Sequence, residues 1–181
     1  MAVVIGVDIG GTKIKLGAVE LTMGGGSRVI ASRQMPTPRT GPPAFYDAVA
    51  EAVRAVQQEA AGSGAAILPL IAVAHPGRFL PGGRLARGTT PNLGIVPGSF
   101  DGLRPAEELS RRLGAEVVAE NDAIAQMRFG LEVLLRDPAI RPRLLGETVV
   151  YLGPGTGMGG GVGRVDRHGH VAVVTDGHFF D

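Results

Sequence analysis

Two glycine-rich turns, each set between runs of strand-forming residues, constrain this chain more than any other feature. The first is Val3-Val4-Ile5-Gly6-Val7-Asp8-Ile9-Gly10-Gly11-Thr12-Lys13-Ile14-Lys15-Leu16-Gly17. The second runs Val149-Val150-Tyr151-Leu152-Gly153-Pro154-Gly155-Thr156-Gly157-Met158-Gly159-Gly160-Gly161-Val162. Each pattern predicts a hairpin whose tip exposes backbone N–H groups. Glycine lets such a tip press against an oxyanion with no Cβ in the way. Two tips far apart in sequence could hold a polyphosphate between two lobes, which points to nucleotide chemistry.

Composition narrows the class. At 181 residues and 44% apolar content, the chain can bury one good core, shared by two small lobes. A net charge of +1 leaves no electrostatic footprint for nucleic acid or a membrane surface. Arginines thicken between Arg104 and Arg143, but Glu107, Glu108, Glu116, Glu120, Glu132 and Asp137 are interleaved, as on a solvated surface. With no cysteine there is no disulfide framework, thiolate metal site or cysteine nucleophile. No apolar run reaches membrane-spanning length, and the N-terminal run meets Asp8 without a basic leader. A cytoplasmic location is the expectation.

Periodicity supplies the order of elements. Residues 2–8, 13–20 and 28–35 read as three strands. Pro42 and Pro43 open a helix with Phe45, Val49, Val53 and Val56 at helical spacing. Ile67 to Ala74 is a continuous apolar run ended by His75-Pro76-Gly77, which predicts a buried strand. Glycines and prolines between Arg78 and Gly98 predict loop with a short hairpin. Pro105 opens a short helix carrying Leu109 and Leu113, and a strand follows over 116–119. Asp122 is expected to cap a helix with Ile124, Met127, Leu131 and Leu134 on one face. Asp137 to Gly146 reads as a linker or irregular loop.

The chemistry of each motif has a competing structural explanation. The first turn is not a Walker A loop, because strand-like Lys13-Ile14-Lys15-Leu16 follows it instead of a helix. Phosphate binding and ordinary Gly-Gly hairpin chemistry both fit the turn. Asp8, at the end of an apolar strand facing it, stands where a magnesium-bound water would be held. Gly155, Gly157 and Gly160 match the dinucleotide-binding spacing, but the following residues look like strands, not the helix a nicotinamide oxidoreductase site needs. Asn121-Asp122 sits at a strand-to-helix junction, where Asp122 can be a helix cap or a general base.

Four ordered motifs then make a resemblance specific. Asp8-Ile9-Gly10-Gly11-Thr12-Lys13, Thr90-Pro91-Asn92-Leu93, Glu120-Asn121-Asp122-Ala123 and Gly155-Thr156-Gly157-Met158-Gly159-Gly160-Gly161 occur in the order seen in ROK-family sugar kinases. The resemblance implies an α/β fold of actin-like ATPase (ribonuclease H-like) architecture, with the two glycine turns as corresponding hairpins of two units. It implies ATP and magnesium as cofactors and a hexose or hexosamine substrate, phosphorylated at its 6-hydroxyl. Asp8 resembles the magnesium-linked carboxylate. Gly10, Gly11, Thr12 and Lys13 resemble the first phosphate turn, and Gly155, Thr156 and Gly157 the second. Asp122 resembles the catalytic base. Gly77, Arg78, Thr90, Asn92, Asn121 and His178 resemble sugar-pocket residues, and a homodimer is consistent with the family.

The chain also departs from the pattern. Thr175 stands where the family usually has a glutamate three residues before the His, and Asp176 is one residue off. The cysteine cluster that joins this His at a zinc site is absent, so His178 is read as facing sugar or solvent and zinc is not expected. Residues 1–121 are expected to form a complete first lobe, and 122–181 an incomplete start of a second. Val149, Tyr151, Val171 and Val173 are then expected to lack covering helices, leaving the chain inactive or aggregation-prone alone. The rival reading is a non-catalytic ROK sugar-binding protein or a relative of the family's transcriptional regulators. A regulator would carry a DNA-binding domain ahead of the first phosphate strand, and the strand beginning at Ala2 argues against one here.

If the second turn binds phosphate, Gly157→Val should abolish nucleotide turnover without unfolding the chain, whereas Gly163→Ala should be much milder. Equal nucleotide affinity in Gly157→Val and wild type, by titration calorimetry, would remove this turn from the site.

Overall fold

The computed structural model describes residues 2–22, 26–154 and 158–174. The elements in chain order are β1 (Ala2–Ile9), β2 (Lys13–Leu21), β3 (Ser27–Pro36), α1 (Pro42–Ala61), β4 (Ala66–His75), β5 (Phe79–Leu80) and β6 (Arg84–Leu85). They continue with α2 (Pro105–Leu113), β7 (Glu116–Asn121), α3 (Asp122–Arg136), α4 (Arg141–Leu144), β8 (Thr148–Pro154), β9 (Met158–Val165) and β10 (Val171–Val173). Two compact units result, Met1–Ala119 and Glu120–Asp181.

The first unit is built on a sheet ordered β3-β2-β1-β4-β7. β1 pairs antiparallel with β2 and parallel with β4. Strict alternation buries Val3, Ile5, Val7 and Ile9 of β1 and Ile14, Leu16 and Ala18 of β2 on one face. Against that face α1 lays Phe45, Tyr46, Val49, Ala50, Val53, Val56 and Ala60. Proline at the start of α1 suits a position whose N–H has no helical partner. In α2, acidic Glu107 and Glu108 near the start and basic Arg111 and Arg112 near the end complement the helix dipole. Arg112 ties the helices together: its Nε donates to Asp47 Oδ1 at 2.6 Å, its Nη1 to Glu108 Oε2 at 2.5 Å, and its guanidinium lies over the Tyr46 ring.

Two local expectations need correction. β4 is buried on one face only: Ile71, Val73 and His75 are inside, while Leu68 and Ala72 are exposed. Its unbroken apolar run hid the alternation. The stretch from Asp137 to Gly146 is not irregular throughout, because it contains the single turn α4, and Arg141 Nη2 donates to His168 O at 2.9 Å.

In the second unit β8, β9 and β10 form an antiparallel sheet, and α3 packs across it. Val149, Tyr151, Val171 and Val173, expected to be uncovered, pack against Ile124, Met127, Leu131 and Leu135 of α3. The opposite face is the open one, with Val150 58% and Leu152 56% exposed. No helix follows the second glycine turn. β9 continues as a strand, which excludes the dinucleotide fingerprint.

Part of the glycine run is explained by packing. A Cβ on Gly159 would lie 3.0 Å from Ala123 Cβ, and one on Gly161 2.8 Å from Ile124 Cδ1. Gly163, expected to accept alanine quietly, has Leu131 Cδ1 at 3.1 Å and Met127 Cε at 3.3 Å from the same point. Gly159, Gly161 and Gly163, alternate residues of β9, must be small for α3 to sit this close, and only at Val165 does that face carry a large side chain. Gly159→Ala meets a short, rigid neighbour and should destabilise by about 1–3 kcal/mol through overpacking. Gly130→Ala, inside α3 with nothing within 4 Å of the added carbon, should instead stabilise by about 1 kcal/mol. Urea unfolding of both variants checks the pair, and equal effects would refute the packing account.

Candidate functional site

The parallel pairing of β1 and β4 brings their C-terminal ends to one edge of the sheet, the usual ligand edge in such architectures. Asp8 is the last outward residue of β1. Alternation places its half-buried side chain on the face away from Val7 and Ile9, directly across from Lys15. Gly10, Gly11 and Thr12 link β1 to β2, closed by Gly10 N–H donating to Lys13 O at 3.0 Å. Neither glycine here has a positive φ; what they supply is space. A Cβ on Gly10 would lie 2.8 Å from Lys13 O, and one on Gly11 2.9 Å from Asn92 Cβ.

Three consecutive carbonyls of this turn face the segment after β3. Thr37 Oγ1 donates to Gly10 O at 2.6 Å, Arg39 Nη2 to Gly11 O at 3.1 Å, and Thr37 N–H to Thr12 O at 3.0 Å. A trans peptide points each following N–H the opposite way. The N–H groups of Gly11 and Thr12 are thus aimed away from residues 37–39, an arrangement able to receive an anion. Neither Thr37 nor Arg39 was singled out by sequence. Their only signal is the Thr37-Pro38-Arg39 run that follows β3.

A second group of predicted residues gathers around the turn after β4. Gly77 has φ +102, and a Cβ there would lie 2.6 Å from Thr90 Cγ2, so both conformation and space call for glycine. The β5–β6 hairpin returns the chain so that Arg78 N–H donates to Thr89 Oγ1 at 3.0 Å and Ala86 N–H to Arg78 O at 2.8 Å. Thr90 is buried, and its carbonyl accepts from Leu93 N–H at 3.1 Å. Between them Asn92 is exposed and abuts Gly11. The first unit therefore brings Gly10, Gly11, Thr12, Asn92, Thr90 and Gly77 into one connected set.

In the second unit the helix cap is Asn121, not Asp122. Buried Asn121 accepts from Ile124 N–H through Oδ1 at 3.1 Å, and Asp122 is the first residue of α3, its Oδ1 accepting from Ala123 N–H at 2.9 Å. Capping was the bland explanation for Asp122, and a neighbour performs it. Gly155, Thr156, Gly157 and His178 lie outside the described residues. Among the described residues no three His, Cys, Asp or Glu side chains form a metal cluster, and no helix is long and apolar enough to cross a membrane.

His75 takes part in none of the sequence motifs. It is fully buried at the end of β4, stacked on Tyr46 and edge-on to Phe79. Its Nδ1–H donates to Pro76 O at 2.6 Å, which leaves Nε2 to accept from the Tyr46 hydroxyl at 3.2 Å. Burial pushes the imidazole down to about 4, outweighing the Pro76 hydrogen bond. Burial and the Glu108 charge push the Tyr46 phenol up.

A model of the ROK family matches residues 4–175. The chain is 32% identical to a glucokinase of Streptomyces coelicolor over 185 residues, covering 98% of this chain and 50% of the relative. It is 33% identical to an N-acetyl-D-glucosamine kinase of Salmonella paratyphi C, over 87% of this chain and 45% of that one. Among solved structures, the inorganic polyphosphate/ATP-glucomannokinase of Arthrobacter sp. strain KM superposes with a TM-score of 0.69 at 27% identity, covering 97% of this chain and 62% of that chain. The chain thus spans about half the length of the curated relatives it matches.

The buried imidazole makes stability depend on pH. The folded pKa lies below the unfolded value near 6.5, so only the unfolded chain takes up a proton between the two. Stability is full above pH 6.5 and is lost as pH falls toward 4, by at most about 3 kcal/mol. Urea unfolding between pH 7.5 and 4.5 should show this slope in wild type and a shallower one in His75→Gln. Parallel slopes would mean that His75 is protonated without cost.

Proposed function

Because the chain belongs to the ROK family, we propose that it serves ATP-dependent phosphorylation of a hexose or hexosamine at the 6-hydroxyl. The observation that carries this reading is the contact between Gly11 of the first glycine turn and Asn92. A phosphate-receiving turn and a sugar-binding loop must adjoin for a phosphoryl group to pass to a sugar hydroxyl. The fold, an actin-like ATPase α/β architecture shared with the glucomannokinase, agrees with it.

In this proposal Gly10, Gly11, Thr12 and Lys13 bind phosphate, with Gly155, Thr156 and Gly157 as a second phosphate turn. The aimed N–H groups of Gly11 and Thr12 offset negative charge on the transferring group without reorganising. Gly77, Arg78, Thr90 and Asn92 hold the sugar, together with Asn121 and His178. Asp122 takes the proton from the 6-hydroxyl as that oxygen bonds to the γ-phosphorus and the bond to the bridging oxygen of ADP breaks. Asp8 fits a magnesium ion held through water, since that metal is content with one carboxylate, phosphates and its own waters. Such an ion would neutralise phosphate charge.

The test is phosphate-transfer turnover with ATP, and with inorganic polyphosphate in parallel, against glucose, fructose, mannose, N-acetyl-D-glucosamine and N-acetylmannosamine. Where the full enzyme context is present, Asp122→Asn should lower kcat by about 10²–10⁴ while sugar affinity changes little, because the proton acceptor alone is lost. Sugar binding without turnover would favour a non-catalytic sugar-binding protein. A variant that keeps most of its kcat would remove Asp122 from the chemistry.

A further inference from the structure

Arg39 bridges two segments that sequence treats as separate. Its Nη2 donates to Gly11 O at 3.1 Å, 28 residues away in the chain, and its Nη1 to Asn92 O at 3.0 Å, 53 residues away. One carbonyl belongs to the phosphate turn and the other to the loop carrying Thr90 and Asn92. A planar guanidinium is suited to this, since its two terminal nitrogens diverge in a rigid fork and can satisfy two acceptors at once. The acceptors themselves carry like partial charges, so a cation between them removes a repulsion as well as adding two charge-assisted hydrogen bonds.

The neighbourhood makes the bridge consequential. Gly11 and Asn92 are already so close that a Cβ on Gly11 would lie 2.9 Å from Asn92 Cβ. A shift of either segment is therefore felt by the other. Thr37 fixes the two carbonyls that flank the one Arg39 holds, so the orientation of the Thr12 N–H depends on Arg39 in particular. On the other side, the Asn92 carbonyl is adjacent to the Leu93 amide that closes back on Thr90 O.

We propose that Arg39 is a positioning residue that couples the phosphate turn to the sugar loop, so that filling either one steadies the other. The identity of the two ligands rests on the kinase reading above; the mechanical coupling rests on the Arg39 contacts. Arg39 itself transfers no proton and contacts no reacting atom.

Amide hydrogen exchange on the full chain tests it, first without ligand. The reporters are Gly10 N–H, bonded to Lys13 O, and Leu93 N–H, bonded to Thr90 O. Arg39→Ala should speed exchange at both about tenfold and leave the α1 amides of Val49 and Val53 unchanged. Arg39→Lys should behave alike, because a single ammonium keeps the charge but loses the fork. Loosening of one reporter alone, of neither, or of α1 equally would overturn the proposal. The second arm adds magnesium and AMPPNP, or whichever sugar of the panel binds. In wild type each ligand should slow exchange at both reporters, and in the two variants only at its own. If both ligands bind and wild type shows only local protection, the coupling is refuted while the kinase reading stands. If neither ligand binds wild type, the kinase reading falls and the ligand-free arm still decides the bridge.

Discussion

Burial of one face of β1, β2 and β4 beneath α1 is the constraint on which the first unit depends. Side chains of a strand alternate, so a slip of one residue would send Val3, Ile5, Val7 and Ile9 to water together. That all-or-none cost pins the register between β1 and β2, from Ala2 opposite Leu21 to Ile9 opposite Ile14. The polar consequences are inherited from it. Asp8 must then face away from the core, opposite Lys15, and the turn must fall at Gly10 to Thr12. The position of the candidate phosphate turn is thus a by-product of hydrophobic packing several residues away.

Glycine has two unlike duties in this molecule. At Gly77 the backbone adopts a conformation unfavourable for other residues, and Thr90 fills the space a side chain would need. At Gly159, Gly161 and Gly163 the backbone is ordinary strand, and the absent side chains admit α3. Alternate glycines therefore serve cohesion of the second unit, where Ile124, Met127, Leu131, Leu135 and Val165 form a small separate core. A glycine-rich run beside a turn can look like ligand-binding sequence when half of it is packing.

His75 and Glu20, both buried in the first unit, are handled by pairing. His75 stays neutral and satisfies both ring nitrogens, one with Pro76 O and one with the Tyr46 hydroxyl. Glu20, nearly as buried, meets Arg28 at 2.8 Å. Unpaired, such groups would cost more than the apolar contacts around them return. His75 also sits at the strand end from which the Pro76-Gly77-Arg78 turn departs, so its hydrogen bond to Pro76 O helps set where that turn begins.

Much of this was legible in the residues. Period-two alternation and glycine placement revealed the first three strands and both hairpins, and the 3.6 period revealed α1 and Ile124, Met127 and Leu131 of the apolar face of α3, because burial leaves a mark at fixed spacing. The fourth member of that face is buried Leu135, not the expected Leu134, which is exposed. The ordered motifs from Asp8 to Gly161 sufficed for family and fold. What sequence could not disclose depended on contacts between distant residues. Asn121 rather than Asp122 caps α3, since either side chain can accept an amide bond and the backbone path alone chooses. β4 is covered on one face, which a continuous apolar run conceals. Thr37 and Arg39 reach the glycine turn only because β3 ends beside it, and neither leaves a periodic trace. Local pattern records which way a side chain faces; only the tertiary structure decides what it meets there.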